Sequence, residues 1–182
     1  MSWKKGFTLL QLNGEKMIMN KFGKYYMDIA IRTAELSSCE RLKVGAIIVK
    51  DQRIISIGYN GTLPGHDNCC EERVYIQNGA GAWLDPISIK EAYPHTDENG
   101  EPYKLVTKQE VLHAEENAIG KLAKSHESGE DATMYLSHAP CIECSKTIIV
   151  SGITTVHYHT KYRSLAGIRF LTKAGINVTH IK

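Results

Sequence analysis

The chain has 182 residues, 22 Lys+Arg against 20 Asp+Glu and a formal charge of +2, a length that suits one domain with a substantial core. Its 42% apolar and 23% charged residues exclude a disordered chain and a coiled coil. No apolar run approaches the ~20 residues that span a bilayer, and the first residues lack the apolar centre of a signal peptide, so a cytoplasmic protein with no membrane partner is expected.

In chain order, residues 1–18 have no clear period and read as a flexible N-terminal extension. A single domain is expected over 19–182. From Lys21 to Ser38, Phe22, Tyr25, Tyr26, Ile29, Thr33 and Leu36 recur at helical spacing. Two β-rich runs follow, Val44–Val49 and Ile54–Tyr59, and the polar link between them predicts a hairpin. The stretch 60–112 carries turn signals such as Asn78-Gly79 and Asp85-Pro86, with one short helix expected near Glu71–Gln77. It holds 4 basic and 9 acidic side chains. No segment is basic enough for a long nucleic-acid partner, although a single nucleotide is not excluded. Beyond it the pattern alternates: helix 113–124, strand 132–137, helix 141–151, strand 154–159, helix 163–174, strand 176–181. Such alternation predicts an α/β sheet covered by helices.

The five cysteines are too few for a disulfide scaffold, and with eight histidines metal is the better expectation. His113-Ala114-Glu115 and Pro140-Cys141-Ile142-Glu143-Cys144 carry the chemistry. Cys141 and Cys144 are three apart at the start of an expected helix, so both thiols fall on one face. The helix N-terminus favours thiolates there. His113 opens another helix and completes a Cys2His set. Structural zinc sites usually have four protein ligands, whereas three leave a position for water, whose pKa zinc lowers from about 15.7 to about 7. Glu115, two residues from His113, lies near the metal without having to bind it and suits a proton shuttle. No GxGxxG or GxxxxGK[ST] run is present, so dinucleotide and P-loop readings fail.

The order H-x-E…P-C-x-x-C is the signature of zinc nucleobase deaminases. With Lys43-Val44-Gly45-Ala46, Gly58-Tyr59-Asn60-Gly61, Pro64-Gly65 and Asn68-Cys69-Cys70, the chain resembles the phage-type deoxycytidylate (dCMP) deaminases of the cytidine deaminase superfamily. One departure is Leu63 before Pro64, where the family pattern suggests a small residue or proline. The resemblance implies an α/β/α sandwich around a five-stranded mixed sheet. It implies deamination of dCMP to dUMP, the thymidylate precursor, with zinc on His113, Cys141 and Cys144 and Glu115 as the shuttle. Asn60 would bond the deoxyribose, the main chain at Ala114 the pyrimidine edge, and Tyr162 would face the substrate. His138 sits two residues before Pro140 and either meets the phosphate or borders it. By the same resemblance dCTP with Mg2+ would activate and dTTP inhibit, at Gly58, Tyr59, Asn60, Gly61, Gly65 and Asn68, and the assembly would be a homohexamer. If phage-encoded, the protein would act in the host cytoplasm.

A second, structural zinc is also implied, clamping the long insertion at about 60–112. Cys39, Cys69 and His95 match it, with the fourth ligand open among Cys70, His66 and a carboxylate. A metal clip would fold back a loop that has few apolar residues to bury. Two rivals remain: a tRNA adenosine deaminase with the same zinc signature, and a non-catalytic zinc- or nucleotide-binding module, which would have no use for Glu115.

Overall fold

The computed structural model describes residues 21–76 and 85–182. The expected extension, residues 1–18, lies outside them. Helix α1 spans Lys21–Ala34, and strands β1 (Gly45–Lys50) and β2 (Arg53–Tyr59) form the expected hairpin. Its two turn residues, Asp51 and Gln52, have φ of 48° and 60°, the backbone hand that matches the twist of the flanking strands. Then come β3 (Glu71–Tyr75), α2 (Pro86–Ala92), β4 (His95–Thr96) and β5 (Pro102–Thr107). The remainder is α3 (Ala114–Leu122), β6 (Thr133–His138), α4 (Ile142–Val150), β7 (Thr155–Thr160), α5 (Ala166–Lys173) and β8 (Asn177–His180).

The main sheet has five strands in the order β2-β1-β6-β7-β8. The β2-β1 and β1-β6 pairs are antiparallel, while β6-β7 and β7-β8 are parallel, so the sheet is mixed as expected. Residues 45–49 of β1 are all buried, because helices cover both faces. Ile47 and Val49 pack with Tyr26, Met27 and Ala30 of α1. Ala46 and Ile48 face the opposite layer, where Ala114, Ala118, Ile148 and Leu171 arrive from α3, α4 and α5. This is an α/β/α sandwich.

Two glycines let helices approach the sheet closely. A Cβ on Gly45 would strike the Ala30 carbonyl in α1, and one on Gly58 would strike the Ala114 carbonyl in α3. Gly58 therefore packs beneath the helix that carries Glu115.

The insertion forms its own three-stranded sheet, β3-β5-β4, antiparallel throughout. The helix expected near Glu71–Gln77 is instead strand β3, whose Glu71 to Tyr75 pair with Thr107 to Tyr103. Glu and Arg favour helix locally, but pairing with β5 overrides that preference. The ends of the insertion meet: Gly61 N–H donates to the Leu112 carbonyl at 3.2 Å and Leu112 N–H donates back at 2.9 Å.

The residues expected to hold a second zinc form no metal-ligand group among the described residues, and other contacts fasten the insertion. Cys39 and Cys70, each 1% exposed, are joined by a disulfide. Cys69 is exposed and its thiol donates to the Glu71 carbonyl at 3.2 Å. His95 is exposed and stacks on Tyr103 at 5.3 Å. Cys39, Cys69 and His95 therefore do not converge. Neighbours along an extended chain point to opposite sides, so Cys70 and not Cys69 meets Cys39. His66 lies in a different cleft, described below. No described helix is long and apolar enough to cross a membrane.

Candidate metal and catalytic site

His113 and Cys141 occupy equivalent places, as the residues that cap the N-termini of α3 and α4. His113 N–H is held by the Glu116 carboxylate at 3.1 Å, which fixes the start of α3. Cys141 Sγ accepts from Cys144 N–H at 3.4 Å, so the first turn of α4 brings its two sulfurs together. The His113 Nδ1 atom lies 3.1 Å from Cys144 Sγ and 3.6 Å from Cys141 Sγ.

All three donor atoms fall within 4.8 Å of one another, the only such His/Cys/Asp/Glu group found among the described residues. Tetrahedral zinc with Zn–S of about 2.3 Å and Zn–N of about 2.0 Å sets its ligands roughly 3.5–3.8 Å apart. The observed spacing and the two-thiol, one-imidazole donor set fit that ion, and three protein donors leave a coordination position free.

The charges at the site are coupled. The Cys141 thiol is held down to about 3, first by the hydrogen bond with Cys144 and also by that with His113. Its thiolate in turn lifts His113 to about 9. Cys144 moves upward, because it keeps its proton in the bond to Cys141 and is buried. Glu115 is only 4% exposed, and burial raises its carboxyl to about 7, opposed in part by the His113 charge. A carboxyl poised near neutrality is suited to both taking and giving a proton.

Glu115 opens onto a cleft of about 760 Å³. The structure brings Asn60, Ala114, His138 and Tyr162 to its walls, together with His113 and Cys141. Asn60 is held from both sides: its Oδ1 accepts from Val44 N–H and its Nδ2 donates to the Leu42 carbonyl, each at 2.7 Å. Burial lowers the His138 imidazole, whose Nδ1 lies 3.1 Å from Ser137 Oγ. Sequence reasoning missed Arg41 and the β5 segment from Lys104 to Thr107, which form the other wall. Arg41 carried no signal, because its partners Glu71 and Thr107 are distant in the chain. The β5 segment had none, because every residue of it is half-buried and no alternation marks it.

A second cleft of about 420 Å³ lies on the other side of the Gly58–Asn68 segment. Tyr59, Gly61, Gly65 and Asn68 line it, with His66 and Lys121. Two residues expected there are elsewhere. Gly58 is packed against α3, and Asn60 faces the first cleft, because successive residues at the end of β2 point to alternate sides.

Residues 20–160 match the family described as the cytidine and deoxycytidylate deaminase zinc-binding region. The chain belongs to this family. Among cytidine and deoxycytidylate deaminases, it is 33% identical to the deoxycytidylate deaminase of Enterobacteria phage T4 over 147 residues, which covers 75% of this chain and 76% of that one. It is 35% identical to the deoxycytidylate deaminase of Mycobacterium phage D29 over 135 residues, 74% of this chain and 91% of the relative. A dCMP deaminase from the cyanophage S-TIM5, solved in complex with dCMP and dUMP, superposes with a TM-score of 0.70 at 34% identity. That match covers 90% of this chain and 99% of the cyanophage chain. Zinc binding is general to the family, and His113, Cys141 and Cys144 are the residues placed to provide it here.

Proposed function

We propose that this chain hydrolyses dCMP to dUMP and ammonia, supplying the precursor of thymidylate. The observation that carries the reading is a buried carboxyl poised near neutrality, Glu115, beside a three-donor His/Cys/Cys set. The similarity to phage enzymes named for this reaction supports the choice of substrate.

His113, Cys141 and Cys144 hold zinc, which when bound supplies activation of water near neutral pH. The chain's own part is proton transfer and orientation. Glu115 takes a proton from the attacking water and gives it to N3 of the pyrimidine, then takes the remaining proton from the new C4 hydroxyl and passes it to the departing amine as the C4 carbonyl forms and the C4–N bond breaks. Water enters and ammonia leaves, so atoms and charge balance. The Ala114 main chain holds the pyrimidine edge. Asn60 retains one N–H and one lone pair beyond its two backbone bonds, enough to meet the deoxyribose hydroxyl. Tyr162 and His138 complete the wall around the nucleotide.

The same reading takes the second cleft as the effector site, for dCTP with Mg2+ as activator and dTTP as inhibitor, in a homohexamer. Lys121 in that cleft supports an anionic ligand. Helix α3 supports communication between the clefts: Ala114 and Glu115 line the first, and Asn117 and Lys121 line the second.

Glu115→Gln is the test of the chemistry. Turnover of dCMP is expected to fall roughly 10²–10⁴-fold with zinc content unchanged. Unaltered turnover would sink the role of Glu115. A wild-type protein that carries zinc and leaves dCMP untouched would favour the non-catalytic module, and turnover of a tRNA adenosine instead would favour that deaminase.

A further inference from the structure

We infer that Arg41 is the residue that reads the 5′-phosphate, and that Glu71 is the positioning residue that sets it there. The inference rests on the dCMP reading above and adds to it the group that distinguishes a nucleotide from a nucleoside.

The catalytic cleft has an uneven charge. Arg41, Lys104 and Arg163 line it, against a single carboxyl, Glu115, which lies at its buried end. None of the three cations has an ion-pair partner among the described residues. A dianionic phosphate fits such a rim, with the base directed inward to Glu115 and the phosphate left at the exposed mouth.

Of the three, Arg41 is the one held in place by polar contacts at both main chain and side chain. Lys104 rests on the Tyr93 ring at 5.3 Å and Arg163 on the Tyr162 ring at 5.4 Å, contacts that leave their stems free to swing. Arg41 N–H and Glu40 N–H instead donate to the two oxygens of the Glu71 carboxylate, each at 3.2 Å. Glu71 is 7% exposed, so these bonds lie away from competing water. The disulfide from Cys39 to Cys70 ties the same two segments one residue further out. At the other end, Arg41 Nη1 donates to Thr107 Oγ1 at 3.0 Å, and Thr107 is the register partner of Glu71. One guanidinium N–H is thus used for orientation, and the remaining donors are free for phosphate oxygens in the paired geometry that arginine favours. Ordering the arginine before the ligand arrives reduces the entropy lost on binding.

This explains why a buried glutamate stands in a loop-rich insertion. Its two bonds go to the backbone of the residue whose side chain reaches the cleft, so it acts through Arg41 and touches no substrate.

The test uses the full-length, zinc-loaded protein and two ligand pairs: dCMP against deoxycytidine for turnover, and dUMP against deoxyuridine for calorimetric binding. Arg41→Gln is expected to raise KM for dCMP and weaken dUMP about 10–100-fold, the range for charge-assisted bonds. It should leave kcat nearly unchanged and deoxyuridine affinity unchanged. Arg41→Lys should recover part of the loss. Glu71→Gln should move the same KM in the same direction by a smaller factor, again sparing deoxyuridine. An equal loss for nucleotide and nucleoside, or no loss for dUMP, would overturn the assignment. So would a phosphate-dependent loss confined to Lys104→Gln or Arg163→Gln. A wild-type protein that neither turns over dCMP nor prefers dUMP to deoxyuridine would instead overturn the dCMP reading on which the assignment rests.

Discussion

Two glycines a helix apart show how finely the catalytic layer is spaced. Gly58 lies under α3, where an added methyl would collide with the Ala114 carbonyl and approach the Ala118 backbone. Gly120, in α3 itself, has open space at the same position. Gly58→Ala must push helix from strand and is expected to cost about 1–3 kcal/mol. It should also lower kcat, since Glu115 moves with α3. Gly120→Ala should raise stability by about 0.5–1 kcal/mol, because alanine is the better helix former. Chemical denaturation of the two variants checks both signs, and equal effects would contradict the packing. At this scale the donor set and Glu115 were legible, because their spacing puts them at helix starts. Arg41 was not legible, since its importance comes from Glu71 and Thr107, which are distant in the chain and near only after β3 pairs with β5.

The starts of α3 and α4 act together as one element, joined through His113 and Cys141. Before metal enters, His113 carries a proton at neutral pH because its value is raised to about 9, and Cys144 keeps its proton because its value is also raised. Cys141 is already a thiolate, with a value near 3. Zinc needs a neutral imidazole and two thiolates, so its uptake releases about two protons at neutral pH. The sign follows: rising pH removes competing protons, so affinity for zinc should increase steeply toward the His113 value near 9 and less steeply beyond it, where the imidazole is already neutral and only Cys144 still gives up a proton. Calorimetry in buffers of different ionisation enthalpy counts these protons, and a pH-independent affinity would contradict the coupled site. Elements of the main sheet were legible because they are long and periodic. The small sheet was not. In β3, Glu71, Glu72 and Arg73 suggest helix locally, and the two residues of β4 are too short to carry any pattern.

At the scale of the whole molecule, helix α3 serves both clefts described above, and the proposed regulation would run through it. If dCTP occupies the cleft around Tyr59 and Asn68, it biases α3 through Asn117, whose Nδ2 already donates to the Tyr59 carbonyl at 2.8 Å. Linkage then requires the effect to be reciprocal, with substrate tightening dCTP as dCTP tightens substrate. Initial-rate curves with dCTP and Mg2+, and with dTTP, should shift in opposite directions, and light scattering should give a hexamer mass. Indifference to both nucleotides would leave an unregulated enzyme. Nothing in composition or periodicity could have shown this cleft, because it is assembled from a turn, a strand end and the outer face of a helix.

The bridge between Gly61 and Leu112 has a consequence of a different kind. The excursion from 62 to 111 departs and returns through one pair of backbone bonds, immediately before His113. It is a cassette that carries Glu71 and Thr107, the residues that set Arg41, while Arg41 itself, the metal donors and Glu115 stay outside it and the Cys39–Cys70 disulfide fastens the two. Exchange of the cassette leaves the bond-making apparatus in place and alters what is admitted to it. Selection on such a chain can therefore revise substrate choice and chemistry as separate heritable units.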